Sequence, residues 1–162
     1  DTWKSRGLGD VYKRQGYHGG FFPVLDSAMF EQTITPRFYE TDAFGHVNNT
    51  VVTGWFETGR APLFRLFGDA ENPASMPLIL ARVEVDFVAQ IYYGSDVILR
   101  AAIERIGNSS FVVIQQAWQN GALVARGRAV QVYFDHKTQA SAPLPDDLRD
   151  ALAQHEGELP ES

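Results

Sequence analysis

Residues 39–49 bring together side chains that can do chemistry. This polar segment holds Asp42, His46 and the pair Asn48 and Asn49, and an amphipathic helical pattern follows it. A carboxylate held just before a helix can act as a general base or as a nucleophile. The free N–H groups and the dipole at the helix start can stabilise an oxyanion. The segment therefore predicts a catalytic site that acts on a carbonyl without a metal.

Asp42 also has a second interpretation. An aspartate in a loop rich in Gly and Asn often accepts bonds from nearby amides and braces the loop, and for an isolated Asp this would be favoured. The full pattern D-x-x-G-H-V-N-N resembles a family motif, and this resemblance favours catalysis instead. His46 either orients substrate or polarises a carbonyl, or it packs locally before the helix, and both interpretations stay open. We expect Gly45 to supply a positive φ in the turn.

Three more polar residues are candidates at the helix. Asn48 and Asn49 are more typical of helix caps, although either amide could also point at a ligand, and we keep Asn48 among the catalytic candidates. Glu57 lies beside the apolar stripe of the helix. It is a second candidate catalytic carboxylate, or else it forms an ion pair with Arg60 or with a strand residue.

One long helix must position these groups. Apolar or small residues recur with spacings of four and three, which predicts a single buried stripe at Val52, Phe56, Gly59, Leu63 and Leu66. Gly59 would let a sheet approach closely. Pro62 removes one helical hydrogen bond, so we expect the last turns to kink or restart there.

The rest of the chain predicts an antiparallel sheet. Five β-prone runs lie at 33–38, 78–87, 96–106, 109–118 and 123–135. Pairs at 107–108 and 120–121 are typical of tight hairpins, which predicts a meander of the last three strands. In the run at 78–87 we expect one apolar face, formed by Ile79, Ala81, Val83, Val85 and Phe87.

The helix and the sheet together predict the fold class. The small residues Ala125, Gly127 and Ala129 share one strand face, and we expect the long helix to lie on them. Pro145 is expected to open a short helix that runs to about Gln154. The order of elements predicts an α+β hotdog fold, a curved five-stranded antiparallel sheet wrapped around one long central helix, with a short C-terminal helix.

The same residues carry a family resemblance. The segments 39–49 (YETDAFGHVNN) and 56–60 (FETGR) resemble the active-site segment of the 4-hydroxybenzoyl-CoA thioesterase-like hotdog family. The likeness spans about 33–153. It implies an enzyme that hydrolyses acyl-CoA or acyl-carrier thioesters, with coenzyme A as part of the substrate and no separate cofactor. It also implies a homodimer or homotetramer with sites at subunit interfaces.

The resemblance also implies roles for individual residues. Asp42 matches the catalytic carboxylate of the family, and the backbone amides at the helix start match its device for polarising the thioester carbonyl. Residues 109–111 begin a strand that lines the ligand tunnel in the family, although a plain hairpin edge explains them equally well. The residues that we expect to contact substrate are Phe44, Gly45, Val47, Asn49, Ser109, Ser110 and Phe111. Four arginines are candidates for binding the phosphates of coenzyme A: Arg82, Arg105, Arg126 and Arg128. Each alone is more typical of a solvated strand residue.

Composition narrows the function classes. The chain has 162 residues, a formal net charge of −6 and no cysteine, which excludes disulfides, thiolate metal sites and a cysteine nucleophile. The acidic balance argues against a nucleic-acid partner. No apolar run approaches the roughly 20 residues that span a bilayer, so we expect no membrane partner and a soluble, cytoplasmic protein.

Domain boundaries and rival functions complete the expectations. Residues 1–28 are predicted to be a disordered leader or a non-native, adaptor-derived segment, although 21–25 could make an incidental contact. Residues 29–156 are predicted to form a single domain, and 157–162 a frayed tail. One rival function is a hotdog hydratase or dehydratase, for which the order of Asp42 and His46 is unfavourable. The other is a protein that binds acyl thioesters without turnover.

Overall fold

The computed structural model describes residues 28–68 and 76–161, together with the backbone of 21–22. Its β-strands are β1 (Phe21–Phe22), β2 (Phe30–Ile34), β3 (Leu78–Phe87), β4 (Val97–Ile106), β5 (Ser110–Gln119), β6 (Ala122–Asp135) and β7 (Ala140–Ser141). Its helices are α1 (Asn49–Phe64), α2 (Asp146–Ala153) and a 3₁₀ turn (Phe38–Glu40).

All strand pairs in this sheet are antiparallel, and the strand order is β1-β2-β4-β5-β6-β3, with β7 paired to β6. Four of the five longer strands lie where the sequence predicts them, and the first is displaced towards the N-terminus. Helix α1 lies on one face of the sheet. The predicted α+β hotdog fold is therefore confirmed. Neither helix in the described part of the chain is long and apolar enough to span a membrane.

Two glycines allow α1 to lie close to the sheet. A Cβ atom at Gly127 of β6 would lie 2.8 Å from the ring of Phe56. One at Gly59 of α1 would lie 3.2 Å from the side-chain nitrogen Nε2 of Gln115. Both distances are too short for a side chain to fit without movement. The helix thus lies where the small residues predicted it.

The helix continues through Pro62 to Phe64 without the predicted restart. Pro62 lacks the N–H that would bond to the carbonyl of Thr58, but only two helical residues follow it, so little of the helix depends on that bond. Leu66, predicted to extend the stripe, therefore follows the helix and packs against the core from outside it.

The two predicted hairpins join β4, β5 and β6 into the expected meander. Asn120 and Gly121 have φ values of 52° and 77°, the left-handed conformation that a two-residue hairpin turn requires. In the other hairpin, the amide of Gly107 donates to the carbonyl of Ser110 over 2.7 Å.

Two strand predictions need correction. The first long strand runs from Phe30 to Ile34 and not over 33–38, because Pro36 cannot donate to a ladder and the chain turns into the 3₁₀ turn soon afterwards. In β3, a bulge at Ala81 shifts the alternation of faces. The pairing with β6 places five residues of β3 on the side that faces the helix, namely Leu78, Leu80, Val83, Val85 and Phe87. Ile79 therefore lies on the outer face, where it is 39% exposed.

The first described strand and the residues that follow α2 both hydrogen-bond to strands of the sheet. Phe21 and Phe22 pair with β2, and the remainder of the predicted leader up to residue 27 lies outside the described residues. After α2, the amide of Ile103 donates to the carbonyl of His155, and the amide of Gly157 donates to the carbonyl of Ile103. The described part of the predicted frayed tail is thus hydrogen-bonded to β4.

The buried apolar residues form two clusters along α1. The proximal core lies under the helix start and contains Ile34, Val47, Val52, Trp55, Phe56, Ile91, Val97, Leu99, Ala117, Val124 and Ala125. The distal core lies under the helix end and contains Leu63, Phe67, Ala101, Ile103, Phe111, Val113, Ala129, Leu144 and Leu152. The candidate catalytic segment covers the proximal core.

Candidate active site

Residues 41–48 form a small, closed loop, here called the Asp42 loop. The amide of Asp42 donates to the carbonyl of His46 over 2.8 Å, and the amide of Gly45 donates back to the carbonyl of Asp42 over 3.2 Å. Gly45 has φ +79°, the positive value predicted for it. Since a left-handed φ strains most other residues, glycine is the natural choice at this turn.

The side chain of Asp42 braces this loop with one of its oxygens. Oδ1 accepts hydrogen bonds from the amides of Phe44 and His46, at 2.8 and 3.3 Å. Within the part of the chain that the structure describes, Oδ2 has no hydrogen-bond partner, and the residue is half-buried. The two sequence-based interpretations are thus compatible, because one oxygen can hold the loop while the other faces a reactant.

The start of α1 leaves one amide available. Asn48 is the N-cap, and its side-chain oxygen accepts from the amide and the hydroxyl of Thr50 at 3.0 and 2.9 Å. Its backbone carbonyl accepts from the amide of Val51. Among the described residues, no partner is found for the amide of Asn49. Asn48 thus uses its amide oxygen for capping, and the candidate oxyanion donor is the backbone N–H of Asn49.

A buried carboxylate supports the loop from below, and sequence reasoning missed it. Glu40 is 5% exposed, and its Oε2 accepts from the indole N–H of Trp55 over 2.8 Å. Its backbone carbonyl accepts from the amide of Asn48 over 2.7 Å. Burial raises the pKa of the Glu40 carboxyl, while the bond from Trp55 and the charge of Arg37 act against that rise. No local pattern marks Glu40, since its partner on α1 is distant in sequence.

The segment that follows β3 holds the other side of the loop. The amide of Val47 donates to the carbonyl of Ile91 over 2.7 Å. The imidazole of His46 lies edge-on to the ring of Tyr92, with 5.2 Å between the ring centres. This packing fits the interpretation of His46 as a local packing residue, and it leaves the ring half-buried beside Asp42.

Aromatic side chains surround the Asp42 loop and are widely exposed. The exposed fractions are 76% for Phe38, 74% for Tyr39, 82% for Phe44, 53% for Tyr92 and 57% for Tyr93. Such a concentration of exposed aromatic surface is unusual and is typical of a ligand or subunit contact. Phe44 is the most exposed of these rings, whereas Val47 is 6% exposed and packs into the proximal core. Their contacts with substrate stay predictions.

Residues 109–111, three of the predicted site residues, lie far from Asp42 in the same chain. Gln119, at one end of β5, bonds to Tyr92 beside the Asp42 loop, whereas Ser110 begins the strand at its other end. Almost the whole strand, about 30 Å, separates them. Phe111 is 1% exposed and stacks on Phe67 in the distal core. Its ring is thus enclosed by packing in this chain, and its contact with substrate stays a prediction.

Glu57 is also remote from the loop. It is exposed on α1, about 13 Å along the helix axis from Asn48. Its charge acts on Arg60, whose guanidinium is buried and donates to the side chain of Gln115 over 3.4 Å. Burial lowers the pKa of Arg60, and the charge of Glu57 opposes that change. Glu57 thus interacts with Arg60 through its charge, and both interpretations of Glu57 stay predictions.

Three of the four candidate phosphate-binding arginines form ion pairs on the outer face of the sheet. Arg82 contacts Glu84, Arg126 contacts Asp86, and Arg128 contacts Glu84 and Glu104. A groove of about 840 Å³ lies over this face, between the sheet and the C-terminal tail. No residue of the Asp42 loop lines it, so it is separate from the candidate catalytic groups.

Comparison with known proteins places the chain in a family context. The model of the Thioesterase-like superfamily matches residues 36–152. A 1,4-dihydroxy-2-naphthoyl-CoA hydrolase from Synechococcus sp. (strain CC9605) is 29% identical over 133 residues, which cover 76% of this chain and 89% of that protein.

Solved structures are similar over most of the chain. The structure of a predicted thioesterase from Bacillus stearothermophilus is 44% identical and has a TM-score of 0.79, covering 82% of this chain and 100% of that one. A thioesterase from Thermus thermophilus, crystallised with coenzyme A and zinc, is 28% identical and has a TM-score of 0.69, covering 82% and 98% of the two chains.

Proposed function

Because this chain belongs to the Thioesterase-like superfamily, we propose that it hydrolyses acyl-CoA thioesters, with Asp42 as the reacting carboxylate. One observation carries this assignment. Oδ1 of Asp42 is held by two amides of its own loop, so that Oδ2 is fixed in place while it keeps its capacity to react. A carboxylate restrained in this way is pre-organised for attack or for proton transfer.

The helix start supplies the second requirement. The amide of Asn49 can donate to the thioester oxygen as it becomes an oxyanion, assisted by the dipole of α1. With Asp42 as base, Oδ2 takes a proton from water while the water oxygen bonds to the carbonyl carbon. Collapse of the oxyanion then breaks the C–S bond, and the proton passes to the departing thiolate. In the alternative route, Oδ2 itself bonds to the carbonyl carbon, and collapse of the oxyanion breaks the C–S bond, releasing the thiolate and leaving an anhydride. Water then hydrolyses the anhydride, which restores the Asp42 carboxylate and releases the acid, and one proton passes to the thiolate.

The exposed aromatic side chains favour an aryl acyl group. Phe44, Tyr92 and Phe38 offer flat apolar surfaces around Asp42, on which an aromatic ring can stack. The named substrate of the Synechococcus relative, a naphthoyl-CoA, is of this chemical class. We therefore expect aryl-CoA esters to be hydrolysed faster than short aliphatic ones.

A second copy of the chain completes the site in this proposal. β3 is an edge strand of ten residues. Three apolar side chains in or next to it are exposed: Leu80 by 42%, Phe87 by 52% and Val88 by 46%. A long apolar edge of this kind favours pairing with another strand. A homodimer joined at β3 would cover these side chains, and a further pairing of dimers gives the homotetramer. Sedimentation equilibrium of the wild type and of Phe87→Lys measures the assembly, and a monomeric wild type contradicts it.

The decisive experiment replaces Asp42 beside a matched control. Asp135 accepts bonds from the amides of Lys137 and Thr138 and so braces a turn in a similar way, but it is not next to the start of α1. Across a panel of aryl and aliphatic CoA esters, we expect Asp42→Asn to lower kcat by about 10²- to 10⁴-fold. Asp135→Asn is expected to keep nearly normal turnover.

Two outcomes contradict the proposal. Wild-type turnover by Asp42→Asn would show that this carboxylate does not react. A wild-type protein that binds acyl-CoA without hydrolysing any ester of the panel would favour the non-catalytic binding protein.

A further inference from the structure

Gln119, at the end of β5, holds residues 92–95, the segment that follows β3 and contacts the Asp42 loop. The side chain of Gln119 is buried, with 4% exposed. It makes hydrogen bonds to the first and the last residue of this segment. Oε1 accepts from the amide of Tyr92 over 2.9 Å. Nε2 donates to the carbonyls of Tyr92 and Ser95 over 2.8 and 2.9 Å.

These bonds use both functional groups of the glutamine. Among the described residues, no other hydrogen-bond partner is found for the amide or the carbonyl of Tyr92, which follows Ile91 of the proximal core. The segment also turns at Gly94, whose φ is +98°. A side chain with one acceptor and two donors is needed here, and a carboxylate or a hydrocarbon cannot replace it.

The segment held by Gln119 is in direct contact with the Asp42 loop. His46 and Tyr92 form an antiparallel bridge, and their rings pack edge to face. The amide of His46 in turn donates to Oδ1 of Asp42 over 3.3 Å. A continuous set of contacts thus runs from Gln119 through Tyr92 and His46 to the carboxylate.

We propose that Gln119 is a positioning residue for the Asp42 carboxylate, which it orients through Tyr92 and His46. This inference rests on the proposed function. It explains why a fully hydrogen-bonded glutamine is buried beneath a loop that presents a half-buried aspartate, and it extends the site to a strand end that the sequence pattern does not mark.

The test compares Gln119→Ala with Gln116→Ala. Gln116 lies on the same strand, is 8% exposed and donates to a remote backbone carbonyl, that of Pro160, away from the Asp42 loop. We expect Gln119→Ala to lower kcat by about 10- to 100-fold with a smaller change in KM, because a displaced catalytic group costs turnover. Gln116→Ala is expected to keep kcat close to that of the wild type.

Two further readouts separate positioning from general stability. In an Asp42→Asn background, Gln119→Ala should cause little additional loss of kcat, since both changes remove one function. Hydrogen exchange at the amides of His46 and Val47 should accelerate in Gln119→Ala and not in Gln116→Ala. If Gln119→Ala does not fold, Gly94→Ala strains the same segment from its exposed turn and should lower kcat in the same direction.

The inference is overturned if Gln119→Ala lowers kcat no more than Gln116→Ala does. It is also overturned if the fold-decrease in kcat of the double variant equals the product of the fold-decreases of Gln119→Ala and Asp42→Asn. These results differ from a failure of the proposed function. Wild-type turnover by Asp42→Asn removes the catalytic assignment itself, whereas an inactive Asp42→Asn beside a fully active Gln119→Ala removes only the positioning role.

Discussion

The proximal and distal cores lie under the same helix but are built differently. Around the proximal core, buried polar side chains hold particular backbone and side-chain groups, as Glu40 holds the indole of Trp55 and Gln119 holds Tyr92. In the distal core, rings stack directly, as Phe67 does on Phe111 with 5.4 Å between centres. The end next to the candidate catalytic groups relies on directional bonds, whereas the other end relies on packing.

This difference predicts that the distal core contributes more to stability and less to turnover. Phe111→Ala removes a fully buried ring and should lower the free energy of unfolding by about 3–5 kcal/mol. The kcat of the folded fraction should stay close to normal, because Phe111 is far from Asp42. Urea denaturation and steady-state kinetics on one preparation measure both quantities. A large loss of kcat with little loss of stability would contradict the division between the cores.

The opposite pattern is expected at Trp55. Trp55→Phe keeps most of the ring but removes the donor to Oε2 of Glu40, leaving a buried carboxylate without that bond. We expect a loss of about 1–3 kcal/mol of stability, together with a clear decrease in kcat as the start of α1 loosens. Urea denaturation and steady-state kinetics again measure the two effects.

A matched variant on the outer face of the sheet provides the control for Trp55. The indole of Trp118 is also buried and donates to the side chain of Gln116 over 2.9 Å. Trp118→Phe should cost a similar amount of stability and leave kcat nearly unchanged. Equal losses of kcat in the two variants would mean that the bond to Glu40 has no special relation to the site.

The smallest predicted effect is a change of stability with pH. Burial raises the pKa of Glu40 above its ordinary value of 4.5, so the folded protein holds this proton more tightly than the unfolded chain. The stability that Glu40 contributes is therefore complete below 4.5 and is lost as the pH rises through the folded pKa. Glu40→Gln cannot ionise, so its stability relative to the wild type should increase from pH 4 to pH 7. Urea midpoints across that range measure the trend, and a decrease would contradict it.

Much of the fold could be predicted because its signals are local. Strand alternation and the hairpin residues at 107–108 and 120–121 placed the meander, and the stripe at Val52 and Phe56 placed α1. The predicted thioester hydrolase class is confirmed at the level of the family. The bulge at Ala81 was not predicted, since one extra residue in an apolar run does not change its composition.

The site was harder to predict, because its geometry depends on contacts between distant residues. The sequence marked Asp42 and Gly45 through a compact motif, but Glu40 and Gln119 bond to partners 15 and 27 residues away. Without coordinates, each looks like an ordinary acid or amide. The burial of Phe111 in the distal core could not be predicted for the same reason, since a strand pattern does not tell which end of the sheet lies near the loop.

The contact between Gly127 and Phe56 means that the sizes of the side chains at these two positions depend on each other. Since a methyl group at position 127 would overlap the ring, an ancestor or relative with a larger residue there needs a smaller one at position 56, or a helix set further from the sheet. Any shift of the helix would also move the cap at Asn48 and the amide of Asn49. A substitution deep in the sheet can thus move the candidate oxyanion donor without altering any residue at the start of the helix.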